Sequence, residues 1–354
     1  MKYGITFLLL ASFVGQAFAA RARIDTVSRD PHASVVVMDA ATGAILHEEN
    51  ADTVLFPASM VKMMVTLLVM ERLQAGEMRL GDYVHVTAEA QRMGGAQVYL
   101  AEGESFTVDD MLYALSIKSA NDVAVALAIH VAGSKEAFVD LMNKKASALG
   151  LTSTRFASVH GLPPDEGQQP DRSTARDMAN LSRELLKYRR VLMYSSAKKR
   201  GFRNNTFEMT THNRLLYNVE GCDGLKTGYF TAAGFSIAAT AQRDGRRVIA
   251  VVMGSKVRQI RDQKAAEFLE KGFALLPSHI ASRVEPASTV SGDTRQVDPE
   301  VLSEAESDAV PVVLDVEVSD TKSTEQRGFP WLIIFSVPAG LILIVFVLLR
   351  RGVF

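Results

Sequence analysis

Cysteine is almost missing from this 354-residue chain: Cys222 stands alone, so no disulfide can form within it. The seven histidines fall in no HExxH spacing and no CxxC pair exists, so the pattern implies no metal site and no cofactor. Charge of one sign is missing too. With 39 basic and 40 acidic residues the formal net charge is -1, which leaves no basic field for a phosphate backbone and sets nucleic acid aside as a partner. The Gly-x4-Gly-Lys spacing of a phosphate-binding loop does not occur around Lys226-Thr227-Gly228, which excludes a nucleotide reading of that triplet.

What is present is a large apolar complement, 47% hydrophobic against 22% charged residues, enough for one large domain or two ordinary ones. Both ends speak about location. Residues 1–20 carry Lys2, an apolar stretch from Ile5 to Val14 and small residues at Ala17 and Ala19, the pattern of a cleaved secretory signal, here assigned to 1–19. That apolar stretch is shorter than the ~17–25 residues of a membrane span. Residues 331–349, WLIIFSVPAGLILIVFVLL, are uncharged, and at 1.5 Å per residue they reach about 28 Å, close to the hydrocarbon thickness. The expected span is 330–349, and Arg350 and Arg351 assign the tail 350–354 to the cytoplasm. The body of the protein would then lie on the periplasmic, extracytoplasmic side of the inner membrane. Between body and span, residues 277–329 are acidic and rich in Ser, Thr and Pro, the composition of a flexible linker. Within it, 310–318 alternates like a strand.

The body, 24–276, has strand patterns at its two ends and helix patterns between. SVVVMDAATGAILHEEN, 34–50, reads as two strands about Thr42-Gly43, and 234–254 as a hairpin about Asp244-Gly245. Thr107 and Thr174, each followed three residues later by an aspartate, are helix N-cap signals, and Gly150 is a helix stop. A long helix is expected over 259–276. The layout predicts an α/β fold: a mostly antiparallel sheet built from both ends of the chain, flanked by helices, with a helical subdomain inserted.

Lys62 interrupts an otherwise apolar run, FPASMVKMMVTLLVME, and Ser59 precedes it by three residues, so on a helix the two side chains share a face. By itself this fits an amphipathic helix with one wet lysine. Ser119-Ala120-Asn121, on a short connection between two apolar helix patterns, fits an ordinary helix–helix turn, and a lone Lys-Thr-Gly means little. Taken together, Ser-x-x-Lys at a helix start, Ser-x-Asn and Lys-Thr-Gly on a strand form the signature set of penicillin-binding proteins and class A β-lactamases.

FPASMVKMM, IKSANDVAVALA, ALGLTSTRFASVHGL, STARDMA, GCDGLKTGYFTAAGFSIAATA and EKGF resemble the low-molecular-weight D-alanyl-D-alanine carboxypeptidases, serine peptidases of type S11 that trim peptidoglycan stem peptides. The resemblance covers nearly the whole body. It ends after Phe273, where many relatives carry a β-rich domain and an amphipathic anchor. It implies Ser59 as nucleophile, Lys62 as its base, Ser119 as proton relay and Asn121 as a partner of Lys62 and the substrate amide. Lys226 and Thr227 would hold the terminal carboxylate, and the N–H groups of Ser59 and Tyr229, flanking Gly228, would form the oxyanion hole. Lys256 and Arg258 are both candidates for a second carboxylate contact. β-Lactams are implied as covalent inhibitors, stem peptides as substrate. For Lys62 to act as base it must shed a proton, which at pH 7 costs about 4.6 kcal/mol from a reference pKa near 10.4. Burial and a second cation lower that cost.

The nearest rival activity is a DD-endopeptidase, which uses the same site. A β-lactamase needs a carboxylate-held water, for which Asp165 and Glu166 are available in sequence. A non-catalytic penicillin receptor needs a signalling segment, and few residues follow Leu349. Cys222 is expected to be a packed side chain rather than a reactive thiol.

Overall fold

Residues 24–277 are described by a computed structural model. The expected signal segment 1–19, the linker beyond Pro277, the span and the tail lie outside them. Among the described residues no helix is long and apolar enough to cross a membrane.

The chain begins with a hairpin, β1 (Ser34–Asp39) and β2 (Ile45–Glu49). A single 3-10 turn, Ala58–Val61, leads directly into α1 (Lys62–Gln74). Next come β3 (Tyr83–His85), α2 (Ala88–Gln91), β4 (Ser105–Thr107), α3 (Val108–Ile117), α4 (Asn121–Ala132) and α5 (Lys135–Ala148). After a long loop follow α6 (Ala175–Leu185), α7 (Val191–Ser195), β5 (Lys199–Phe202), β6 (Phe207–Thr210) and α8 (Leu215–Asn218). The body closes with β7 (Cys222–Phe230), β8 (Gly234–Arg243), β9 (Arg246–Ser255) and α9 (Arg258–Leu275).

The main sheet has the order β2-β1-β9-β8-β7 and is antiparallel throughout, so the two chain ends meet where β1 pairs with β9. Its central strands are apolar on both faces because both faces are covered. Val36 and Met38 of β1 and Ile249, Val251 and Met253 of β9 enter the helical core, while Val35, Val37, Val248, Ala250 and Val252 pack with Ala265, Phe268 and Leu269 of α9. The period of two of a strand divides one valine run between two cores. The β8–β9 turn holds Asp244 and Gly245 at φ 48° and 75°, the left-handed pair that a two-residue hairpin needs.

Helix starts follow their caps: the Thr107 and Thr174 hydroxyls accept from the N–H groups of Asp110 and Asp177. The pairs β3–β4 and β5–β6, each a separate two-stranded sheet, carry no pattern strong enough to be expected from sequence. Apolar side chains surround α1 on nearly all sides, with Met63, Met64, Val65, Leu67 and Val69 buried. Lys62, its first residue, is therefore carried into the interior.

Candidate active site

Ser59 sits on the 3-10 turn, one helical step before Lys62, so the two side chains lie on the same side, with Lys62 Nζ 3.2 Å from Ser59 Oγ. Lys62 is 0% exposed. Its other two neighbours are carbonyl-type acceptors: Asn121 Oδ1 at 2.7 Å and the His160 backbone oxygen at 2.6 Å. Asn121 is oriented by its own amide, which donates to the Gly94 carbonyl at 2.7 Å, so its oxygen must face the lysine. A neutral amine here spends its two N–H groups on those carbonyls, and its lone pair is left for the Ser59 hydroxyl.

Burial, then the nearby Lys226 charge, holds the Lys62 amine well below the usual lysine range, with Asp171 and Asp122 pulling the other way. Asp171 is itself buried, and that burial raises its carboxyl despite hydrogen bonds from Ser158 Oγ and the Ala157 and Ser158 N–H groups. Lys226 is 6% exposed and makes one hydrogen bond, to the Thr227 carbonyl at 3.2 Å. Burial, then the Arg261 guanidinium, brings its pKa down to about 7.

Two glycines allow these parts to meet. A Cβ on Gly228 would lie 2.5 Å from the Pro57 carbonyl and 3.3 Å from the Ser59 nitrogen, so only glycine lets the edge strand β7 close on the turn that carries Ser59. Gly161, at φ 76°, has no room for a Cβ, which would stand 2.0 Å from the Ala58 oxygen. That contact seats the loop whose His160 carbonyl reaches Lys62. Ser119 ends the α3–α4 connection in a left-handed conformation, φ 60°, and its buried hydroxyl finds no hydrogen-bond partner among the described residues. A buried hydroxyl without a partner is costly and suits a group that awaits one.

The profile of the peptidase S11 family, described as D-alanyl-D-alanine carboxypeptidase, matches residues 23–257. The chain belongs to the S11 family of D-alanyl-D-alanine carboxypeptidases. The carboxypeptidase DacF of Bacillus subtilis is 37% identical over 277 residues, 77% of this chain and 70% of the relative. DacC of Escherichia coli is 38% identical over 277 residues, 76% and 67% of the two chains. Among solved structures, penicillin binding protein 5 from Haemophilus influenzae superposes with a TM-score of 0.64 at 31% identity, covering 72% of each chain. Penicillin-binding protein D2 from Listeria monocytogenes, in its ampicillin-bound form, gives 0.62 at 29% identity, over 72% of this chain and 100% of that one. The fold is that of the penicillin-binding proteins.

As an S11 member, the chain brings Ser59, Lys62 and Asn121 into one hydrogen-bonded group, with Lys226 close enough to shift the Lys62 amine. Thr227 is nearly buried on the same strand. Tyr229 is 52% exposed and stacks on Phe235 at 4.0 Å. The two candidates for a second carboxylate contact lie apart from this group's interior. Lys256 is exposed and faces Asp30 at 3.5 Å, and Arg258 is exposed at the first residue of α9. α9 also carries a buried cation, Arg261. It donates to the Ser236 carbonyl at 3.1 Å, pairs with Asp262 and acts on Lys226. Arg261 stands four residues before Ala265 and seven before Phe268, on the stripe that α9 buries, whereas Arg258, one turn earlier on that stripe, is exposed at the helix start.

His212 was also missed. Although its side chain reaches solvent, burial of the ring and then the charges of Lys226, Lys118, Arg261 and Arg258 push its pKa down to about 4. Asp165 and Glu166 are both exposed, and Asp165 lines a cleft of about 660 Å³ with Gly94, His160 and Asp171. Burial raises the Cys222 thiol to about 11, so it is not a thiolate at neutral pH. Among the described residues no group of three or more His, Cys, Asp or Glu side chains could hold a metal ion.

Proposed function

We propose that the chain is a serine-type carboxypeptidase that removes the terminal D-alanine from peptidoglycan pentapeptide stems, with β-lactams as covalent inhibitors. The observation that carries this reading is the Lys62 environment: its amine lies against two fixed carbonyl oxygens and, at 3.2 Å, Ser59 Oγ, so once neutral it can give its N–H groups to the carbonyls and turn its lone pair to the hydroxyl. Ser59 attacks the carbonyl of the penultimate D-alanine as its proton passes to Lys62. The oxyanion is held by the N–H groups of Ser59 and Tyr229, worth a few kcal/mol on the scale of ~2.7–4 for one donor. Ser119 hands a proton to the departing D-alanine amine. Water then cleaves the ester and releases the tetrapeptide stem. Lys226 and Thr227, backed by Arg261, bind the terminal carboxylate. That carboxylate restores charge to Lys226, and the restored cation presses Lys62 further toward its neutral form.

The same reading extends to location: a secreted body tethered by 330–349, with the C-terminus in the cytoplasm. A reporter fused after Phe354 should behave as cytoplasmic; an external signal would sink this part alone.

Incubation of purified muropeptides with the protein should shift pentapeptide stems by the mass of one alanine. Release of cross-linked stems instead would favour the endopeptidase. A labelled penicillin should map to Ser59 on peptide digestion, and Ser59→Ala should abolish labelling. Label on another serine would overturn the nucleophile.

A further inference from the structure

We propose that a cationic cleft at the opposite end of the sheet is an anion site for the phosphate group of an acidic lipid headgroup. The cleft, about 670 Å³, lies between the β1–β2 turn, the end of α6 and the β8–β9 turn. Its charged lining is Arg183, Lys187, Arg189, Arg246 and Arg247, against Asp39 alone. It is separate from the peptidase site: β8 pairs Ala238 with Lys226 and runs on to Gln242 in the cleft, four residues or about 13 Å further along.

The six charges are not equivalent. Asp39 is occupied by its own turn, accepting from the Ala41 N–H and the Thr42 hydroxyl. Arg247 is neutralised by Asp223 through two 2.7 Å contacts, and Lys187 by Glu184. Arg183 is fixed, but only by carbonyls, donating to Ala40 and Ala41 at 3.1 and 3.0 Å. Among the described residues Arg189 and Arg246 have no acidic partner within salt-bridge distance. Three guanidinium groups therefore line one cleft with no counter-charge from the described residues, one of them already held in place. Such an arrangement repels itself unless an anion fills it, and the planar fork of arginine matches a phosphate.

Pro277, the last described residue, lines the same cleft. The choice of a lipid as the phosphate source rests on the anchored reading above. Free phosphate offers the same chemistry, and the test separates the two.

The full chain in neutral maltoside micelles should be titrated with dihexanoyl phosphatidylglycerol, dihexanoyl phosphatidylcholine and inorganic phosphate at fixed ionic strength, following Tm. Binding to the folded state raises Tm with ligand concentration. The phosphatidylglycerol should raise Tm and the zwitterionic lipid should not. A paired Arg189→Glu, Arg246→Glu variant should need at least tenfold more phosphatidylglycerol for the same shift, while reacting with penicillin at the parent rate as proof of its fold. No shift with phosphatidylglycerol, or equal shifts in parent and variant, would overturn the site. An equal shift with inorganic phosphate at matched concentration would overturn the lipid as source. Carbonate extraction of membranes tests the anchor independently: a chain released by carbonate defeats the anchored reading and leaves the titration to be judged on its own.

Discussion

Two lysines lie buried within reach of each other's charge, and their surroundings differ. Lys62 has three polar atoms around its amine and two carboxylates acting on it, while Lys226 has one carbonyl and an arginine behind it. Burial is the largest influence on both, and it disfavours both ammonium forms. What separates them is what each surrounding leaves unfinished. At Lys62 the carbonyls complete the donors of a neutral amine and leave a lone pair facing a hydroxyl. At Lys226 nothing completes an ammonium, and a carboxylate from outside would. The first surrounding suits a group that accepts a proton, and the second a group that accepts an anion.

The largest effect that could break this comparison is at Lys62. Lys62→Arg keeps a cation that cannot deprotonate in the working range, so acylation by a labelled penicillin should fall by about 10²–10⁴-fold. A variant that acylates near the parent rate would make Lys62 structural.

At Lys226 the same substitution should do less and do something different. Lys226→Arg retains the cation, so kcat should change little and KM should rise by about tenfold, since a longer, forked group replaces a compact one. The pH profile sharpens the contrast. Acylation rises with pH as Lys62 sheds its proton, through a pKa below the ordinary lysine value. Capture by free enzyme declines above about 7 as Lys226 loses its charge. The plot of kcat/KM against pH should be bell-shaped, and Lys226→Arg should remove its alkaline limb alone. Persistence of that limb in the variant would assign it to another group.

The three motifs were legible because each is a run of side chains at short spacing. Both ends of the sheet were legible for the same reason: valine runs and hairpin turns are local. The rest of the site was not. The third partner of Lys62 is a backbone carbonyl 98 residues away, and a carbonyl carries no residue identity. Asp171 and Arg261 act on the two lysines because of where a loop and a helix face bring them, and no short motif carries that. Gly161 was visible inside the HGL stretch, but its function, clearance for the Ala58 oxygen, appears only when two distant segments touch.

Stability should show the cost of Lys226. Its folded pKa of about 7 lies below the unfolded value near 10.4, so between them the unfolded chain binds more protons and stability rises with pH over that window. Lys226→Met removes the buried amine at similar volume. Its Tm should exceed the parent's at pH 7, by about 2–4 °C per kcal/mol recovered, while substrate turnover is lost. A lower Tm for this variant would mean that Lys226 supports the fold as well as the substrate.

The smallest expected effect concerns Asp171, which acts on Lys62 through charge without touching it. Asp171→Asn removes a negative charge that raises the Lys62 pKa, so the acid limb of the acylation profile should move to lower pH. The fold should feel it as well. One Asp171 oxygen accepts the Ala157 and Ser158 N–H groups and the other accepts the Ser158 hydroxyl, which in turn receives the Gly161 N–H at 2.8 Å. An asparagine can serve the first pair, but its amide would then donate to a hydroxyl already accepting and leave that hydroxyl's own proton unpartnered. A loss of about 1–3 kcal/mol follows, seen as a lower denaturation midpoint. Unchanged stability with a shifted limb would make Asp171 purely an electrostatic neighbour of Lys62. Lost stability with an unmoved limb would make it a loop anchor, and the balance of charges around Lys62 would then rest on Asp122 and Lys226.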